Sequence, residues 1–452
     1  MKFVIIGGDA AGMSAASRAK RSRPDLDVTV LEKSMDVSYS ACGMPYNIAD
    51  NDREMTDLVV RDAKVFREKQ GIQLLTGHRA DRLDPVNRTV TGETVEGKEF
   101  DLDYDRLLIA TGASAIVPDL PGFDLPGVFA LKSLEDGRRI KEFIRKNKVT
   151  KAVIIGMGYI ALEMCEALCE LGIEVEVVKP RPVFLPWMDN KMAGVVREKL
   201  EANGVQLHLG HGIEKIERDK DTFHPVGLKL VCSDLEIECD MILVAIGVKP
   251  NSNLVSGTSI KLSVDGAIAV DNRLRTSDKI IYAAGDCADA YHVVTGKKTW
   301  IPLALRANMS GRAVADNICD REVSLQGVAG TSVFKVFDLE VARTGLTVEE
   351  SKKSGFDPAT AVIQTRSRAH AHPGGSDIWV QMIGCKQTNR LLGVQMVGTE
   401  GVAHRINAPA VALHNQMTVE KYSHSDLAYA PPFGPVWDPT LTAANQLIKK
   451  LN

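Results

Sequence analysis

The sequence predicts an α/β protein with two parallel βαβ units and a C-terminal α+β region. Three observations carry this. A strand, glycine turn, helix and strand occur in the same order twice, starting about 150 residues apart. Each opening strand is continuously apolar, which marks a parallel sheet buried on both faces. From about residue 328 the pattern changes to alternating strands.

The first unit runs Phe3-Val4-Ile5-Ile6, a Gly-rich turn, an Ala-rich helix from Met13 to Arg21, and a strand Val28-Thr29-Val30-Leu31 ending at Glu32. The second runs Ala152-Val153-Ile154-Ile155, Gly156-Met157-Gly158, a helix from Ile160 to Leu171, and a strand Val175-Glu176-Val177-Val178 ending at Lys179. Both have the form of a dinucleotide-binding unit, so two copies imply two dinucleotide sites. Three further short apolar strands run into glycine turns, at Leu107–Gly112, Met241–Gly247 and Ile280–Gly285. The Pro- and Gly-rich stretch Pro118 to Gly127 reads as a linker. Strands at Thr331–Phe337, Ile378–Ile383 and Leu391–Val397, then a helix from about Ala408, form the third region. The expected division is 1–115 with 247–327, then 116–246, then 328–452.

Composition excludes several classes. The chain has 452 residues, a net charge of −3, 44% hydrophobic and 25% charged residues, as in soluble globular enzymes. That balance predicts no nucleic-acid partner and no anionic membrane partner. No apolar run approaches the roughly 18 residues that span a bilayer. The chain opens directly on an apolar strand, which predicts a cytoplasmic protein. Eight cysteines without a Cys-x-x-Cys pair predict neither a disulfide scaffold nor a metal site. Cys165 and Cys169, four apart on a helix, read as packing.

The turn Gly7-Gly8-Asp9-Ala10-Ala11-Gly12 joins a strand to a helix. Gly7 permits the tight turn and Gly12 lets helix and strand approach, so unpaired N–H groups face a pyrophosphate. Asp9 replaces the middle glycine of the usual fingerprint. Glu32, 25 residues beyond Gly7, stands at a strand end where a carboxylate accepts ribose hydroxyls. The second turn, Gly156-x-Gly158-x-x-Ala161, keeps the fingerprint. Its strand ends in Lys179, followed by Arg181. Either these are two solvated charges, or they suit the 2′-phosphate of NADPH.

Thr276 precedes Tyr282-Ala283-Ala284-Gly285-Asp286 by six residues. Here the sequence resembles the flavoprotein disulfide reductases with two dinucleotide domains, which carry T-x5-Y-A-x-G-D. Ala110-Thr111-Gly112 and Ala245-Ile246-Gly247-x-x-Pro250 resemble two more of their elements, in the same order. The resemblance implies two Rossmann-like domains, one for FAD and one for NAD(P)H, and a C-terminal α+β dimerisation domain. It implies dinucleotide contacts from Gly7, Gly8, Ala11, Gly12, Glu32, Lys33, Cys42, Ala110, Thr111, Gly112, Gly156, Gly158, Tyr159, Ile160, Glu163, Lys179, Gly247, Gly285, Asp286, Pro302 and Ala304. Tyr159 is expected to gate the nicotinamide and Glu163 to polarise it.

The segment Ser38-Tyr39-Ser40-Ala41-Cys42-Gly43-Met44-Pro45-Tyr46 places a cysteine in a Gly/Pro loop, where it reads as reactive. Glutathione- and lipoamide-type reductases carry C-x4-C; the partner position here is Asn47. Cys42 is therefore expected to act alone, as a sulfenate or a mixed disulfide. This resembles the single-cysteine branch, which includes NADH oxidases and peroxidases, coenzyme A-disulfide reductases and persulfide reductases. Oxidases and peroxidases carry a histidine where this chain has Ala10, and the G-G-x-A-A-G form resembles the coenzyme A-linked members. The cluster Arg18, Lys20, Arg21, Arg23 is either a solvated helix end or a coenzyme A phosphate site. The resemblance runs that route along Arg18, Arg21, Ser38, Arg61 and Asn308.

Tyr429-Ala430-Pro431-Pro432-Phe433 resembles a signature of the coenzyme A-linked homodimers, in which the tyrosine reaches the other subunit's cysteine. A second tyrosine motif corresponds to His370-Ala371-His372-Pro373-Gly374, without its tyrosines. His372 is either a substitute acid or an exposed loop histidine. The expected function is FAD-dependent NAD(P)H reduction of coenzyme A disulfide or a coenzyme A persulfide/polysulfide. The alternatives are an NADH oxidase working through a Cys42 sulfenate, and a flavin-binding redox sensor with negligible turnover.

Overall fold

The computed structural model describes residues 1–218 and 227–451. Two five-stranded parallel sheets form first. One has the order Ile281–Ala283, Arg106–Ile109, Lys2–Ile6, Asp27–Glu32, Gln73–Thr76. The other has the order Gln206–Leu209, Glu174–Lys179, Lys151–Ile155, Met241–Val244, Val128–Ala130. Their central strands are apolar on both faces because both sides are covered, one face of the second sheet (Val153, Ile155, Ile242, Val244) by antiparallel strands over 213–239: Phe3, Val4, Ile5 and Ile6 are buried, as are Ala152 to Ile155.

The two units solve one steric problem alike. Gly7 and Gly156 have φ of +115° and +117°, and a Cβ there would lie 2.1 Å from the Ala110 carbonyl and 2.3 Å from that of Ala245. The helix Ala10–Ser22 then packs on Ala304–Ile318, and this demands a further glycine. A Cβ on Gly311 would meet the Ala11 carbonyl at 2.0 Å. The first sheet thus draws on both ends of a chain segment interrupted by the second. A short antiparallel ribbon, Ala113–Ala115 with Val248–Pro250, marks where the chain leaves and returns. Asn251 fastens it, donating to the Thr111 carbonyl at 2.9 Å and accepting from Ser114 Oγ at 2.7 Å.

The third region is a five-stranded antiparallel sheet, ordered Ser332–Val336, Leu339–Gly345, Leu391–Gly398, Asp377–Cys385, Pro358–Arg366. The central strand Leu391–Gly398 is buried along its whole length. Helix Asn407–His414 packs on it, and helix Pro439–Leu451 on the neighbouring strands Asp377–Cys385 and Pro358–Arg366. Two of these strands, Leu339–Gly345 and Pro358–Arg366, and the last helix were not anticipated from sequence. Neither were two three-stranded antiparallel sheets, over 78–103 and 213–239. Most of their strands are polar or alternating, as in His78–Asp84 and Glu236–Cys239, and lack the apolar runs that revealed the parallel strands. Among the described residues, no helix is long and apolar enough to cross a membrane.

Candidate active site around Cys42

Three long helices begin without a side-chain cap: Ala10–Ser22 after Asp9, Tyr159–Glu170 after Gly158, and Ala304–Ile318 after Leu303. Others are capped, by Asp62, Ser133 and Asp189. An uncapped start leaves N–H donors and the positive end of the helix dipole available to an anion. A Cβ on Gly158 would meet nothing within 4 Å, so space stands open over the second turn. Both turns fit a pyrophosphate.

At the first turn, Gly8 N donates to Glu32 Oε2 at 2.7 Å, while Oε1 accepts from Ser34 N and Oγ at 2.8 Å each. The carboxylate is therefore fixed at the strand end. Lys33 beside it is exposed. Asp286 lies in the short turn after Ile281–Ala283, and Lys132 Nζ approaches its Oδ2 at 3.1 Å. Gly285, at φ +79°, sits against Ala11, and its N donates to Ser310 Oγ at 3.2 Å. Asp9 accepts from Tyr39 N at 3.2 Å. Burial pushes its carboxyl up to about 6, and Glu32 and Asp286 add to that while Lys132 and the Tyr39 amide oppose it. Pro302 and Ala304 lead into the third uncapped helix.

Cys42 is exposed in a one-turn 3₁₀ segment, Ala41–Gly43, that runs into the helix Met44–Ala49. The chain before it is bent sharply at Ser38, a non-glycine residue at φ +49°. Ser38 is held from both sides, donating to the Gly8 carbonyl at 3.1 Å and accepting from Val60 N at 2.8 Å. Burial pushes the Cys42 thiol up; Glu163 adds to this and Lys132 opposes it. A reactive cysteine needs surroundings that favour the thiolate. The structure does the opposite, chiefly by desolvating the thiol, with the charges of Glu163, Asp286 and Asp9 adding to it from three separate elements.

Tyr46, one turn beyond Cys42, donates to Glu163 Oε1 at 2.9 Å. Burial pushes Glu163 up to about 7, with Glu166 adding and the Tyr46 hydrogen bond opposing. Tyr159 is not loose. Its ring stacks on Phe334 at 4.7 Å and its hydroxyl accepts from Ser332 Oγ at 3.0 Å, so the third region holds it. Lys179 Nζ is tied to the Val183 carbonyl at 2.8 Å, while Arg181 is exposed.

The basic cluster resolves into parts. Arg18 pairs with Asp316 through two hydrogen bonds, 2.8 and 3.2 Å, and binds helix to helix. Lys20 donates to the Pro24 and Leu26 carbonyls at 2.6 and 3.0 Å. Arg21 is exposed, and the charges of Arg18, Arg312 and Arg61 crowd it, adding to a downward shift that burial leads. Arg61 lies over the Phe66 ring at 5.5 Å. Asn308 accepts from Ser14 Oγ at 2.6 Å and donates to the Ala304 carbonyl at 3.0 Å. The cation surface is therefore Arg21, Arg61 and Arg312, of which Arg312 carried no sequence signal.

Comparison with known proteins follows the same lines. Residues 1–311 match the model of the pyridine nucleotide-disulphide oxidoreductases, and residues 331–439 match the dimerisation domain of that family. The chain belongs to this family. It is 40% identical over 452 residues to a protein of Pyrococcus furiosus named NAD(P)H sulfur oxidoreductase (CoA-dependent), covering 99% of each chain. It is 28% identical over 434 residues to a Staphylococcus haemolyticus coenzyme A disulfide reductase, covering 96% of each. It is 33% identical over 454 residues to a Methanocaldococcus jannaschii protein named NADH oxidase, covering all of each. A solved NAD-dependent persulfide reductase from A. fulgidus superposes with a TM-score of 0.95 at 37% identity, over 100% of this chain and 83% of that one. The family makes this an NAD(P)H-dependent flavoprotein oxidoreductase and implies FAD and NAD(P)H as its dinucleotides.

In the oxidoreductase's dimerisation domain, the two segments singled out by sequence meet. Ala369 N donates to the Pro431 carbonyl at 3.1 Å, joining the His372 loop to the Tyr429 loop. Tyr429 is 48% exposed, and Phe433, Val436 and Trp437 beside it are 80%, 66% and 60% exposed. His372 Nδ1 lies 3.1 Å from the Pro373 carbonyl. Sequence reasoning missed Lys132, which meets Asp286 across 154 residues with no motif to announce it.

Proposed function

We propose that this oxidoreductase reduces coenzyme A disulfide, or a coenzyme A persulfide or polysulfide, through Cys42 alone. The observation that carries this is the contrast between an exposed Cys42 and Asn47, the position of a second redox cysteine, which is fully buried and hydrogen-bonded. The coenzyme A-linked names among its relatives and the Arg21–Arg61–Arg312 surface support it.

In this reading FAD binds at Gly7–Gly12, Glu32 and Asp286, and the nicotinamide dinucleotide at Gly156–Ala161 with Tyr159, Glu163 and Lys179 around it. Bound FAD would supply two electrons from NAD(P)H to the mixed disulfide formed on Cys42, breaking its S–S bond and returning the Cys42 thiolate with release of the second thiolate. Cys42 attacks one sulfur of the substrate's S–S bond; that bond breaks, a mixed disulfide forms, and a thiolate departs. Tyr429 of the partner subunit protonates the departing thiolate, with His372 beside it. Arg21 and Arg61 hold the coenzyme A phosphates. The exposed apolar side chains around Tyr429 support a homodimer. In the same reading the chain divides at residues 115, 246 and 327 and works in the cytoplasm.

A second reading, oxygen reduction through a Cys42 sulfenate, is favoured by the relative named NADH oxidase. Ala10, lacking an imidazole beside the cysteine, argues against it. The test is a yellow, FAD-replete preparation assayed with coenzyme A disulfide and with oxygen alone. Turnover with oxygen equal to that with the disulfide rejects the first reading.

A further inference from the structure

Arg405 ends the short helix Val402–Arg405 and is mostly shielded from solvent. Its Nε donates to Asp438 Oδ2 at 2.9 Å. Nη2 donates to the Phe433 carbonyl at 2.6 Å and to the Ser367 carbonyl at 3.0 Å, and Nη1 to the Gly401 carbonyl at 3.1 Å. One guanidinium thus grips both loops: Phe433 and Asp438 follow Tyr429, and Ser367 begins the segment that carries His372. A planar fork of donors meets this set; an ammonium, with three donors on a point charge, does not.

The local sequence is shaped around that fork. Gly401 has φ +76°, and a Cβ on it would lie 2.0 Å from Nη1; one on Gly434 would lie 3.1 Å from Nη2. Asp438 is fixed in turn, its Oδ1 accepting from Thr440 N and Oγ1 at 2.8 and 2.6 Å, and Thr440 pairs with the buried Tyr422 hydroxyl at 2.8 Å. Glu400 braces the other loop from behind, accepting from Ser367 Oγ at 2.9 Å and from Arg368, which itself donates to the Pro373 carbonyl at 3.1 Å.

We propose that Arg405 is a positioning residue that sets the Tyr429 loop and the His372 loop in one fixed arrangement, so that both are presented together to Cys42 of the partner subunit. This rests on the cross-subunit role proposed for Tyr429. Arg405 acts through the loops and touches no substrate. A displacement of about 1 Å in a proton donor lowers turnover roughly ten- to a hundredfold.

The test uses full-length, FAD-replete Arg405→Lys and Arg405→Gln dimers; should the Gln variant not assemble, the Lys variant carries it. Reduction of the flavin by NAD(P)H in a single turnover should stay at the wild-type rate, while turnover of coenzyme A disulfide falls roughly ten- to a hundredfold in both variants. Mixed dimers then separate positioning from general damage. Paired with Cys42→Ser chains, Arg405 variants should recover up to half the wild-type activity. Paired with Tyr429→Phe chains they should recover none, because the two lesions fall on the same half of the site. Slowed flavin reduction, or no recovery with Cys42→Ser while the Cys42→Ser/Tyr429→Phe control recovers, overturns the proposal. Failure of that control overturns the cross-subunit reading itself, and the proposal with it.

Discussion

Lys141 reaches into the turn behind the reactive cysteine and holds Asn47, its Nζ lying 2.8 Å from the Asn47 carbonyl and 3.1 Å from the side-chain oxygen. The same ammonium shares its three N–H donors with the Asp50 and Arg53 carbonyls as well, at 2.7 and 2.5 Å. The residue five after Cys42 is thus a structural anchor at the end of the helix Met44–Ala49, where a positive charge also meets the negative end of the dipole.

Lys141→Met should destabilise the protein by about 3 kcal/mol, because it removes the ammonium that serves the buried Asn47 side chain and the Asn47, Asp50 and Arg53 carbonyls. Chemical denaturation read by fluorescence checks this. A midpoint equal to wild type would show that the anchor contributes nothing.

Cys42→Ser should keep FAD and still let NAD(P)H bleach the flavin, yet lose disulfide and persulfide reduction. Stopped-flow absorbance and steady-state assays read the two halves separately. Wild-type turnover of coenzyme A disulfide by this variant would make the cysteine structural.

Glu163 titrates at about 7 and opposes the Cys42 thiolate, so Glu163→Gln should shift the midpoint of Cys42 alkylation to lower pH. Tyr46→Phe removes the bond that lowers Glu163, so its titration should move up. The sign for stability follows from a raised carboxyl: its contribution is full below the unfolded value and is lost as pH rises through about 7. Glu163→Gln should therefore flatten the fall in stability on approach to pH 7. An alkylation profile that does not move in either variant contradicts the coupling.

Arg21→Ala and Arg61→Ala should each raise KM for coenzyme A substrates, about tenfold to a hundredfold for a lost charge-assisted phosphate contact, with kcat little changed. Arg18→Ala should instead lower thermal stability, because its guanidinium is committed to Asp316. A KM effect confined to Arg18 would reverse these assignments.

NADPH should be accepted at least as well as NADH, and Lys179→Glu should move preference toward NADH by about tenfold to a hundredfold. The tie from Lys179 to the Val183 carbonyl holds the cation at the strand end. An unchanged ratio of kcat/KM values after the substitution discards the idea.

The sequence by itself determined the two parallel units, their glycine turns and the isolated cysteine. These are local: an apolar strand declares burial on both faces, and Gly7 and Gly156 declare backbone angles other residues resist. The tertiary structure alone decided which charges face one another. Lys132 meets Asp286 and Arg18 meets Asp316 across 154 and 298 residues, and on one helix Arg18 and Lys20 act as braces while Arg21 stands exposed. It also decided that the Cys42 thiol is held up rather than down, chiefly by desolvation, with Glu163, Asp286 and Asp9 adding negative charge from separate elements. Periodicity and turn chemistry act over a few residues and are written in neighbouring letters. Electrostatic pairing acts through space, and nothing in the order of the residues states which distant side chains packing will bring within a few ångströms.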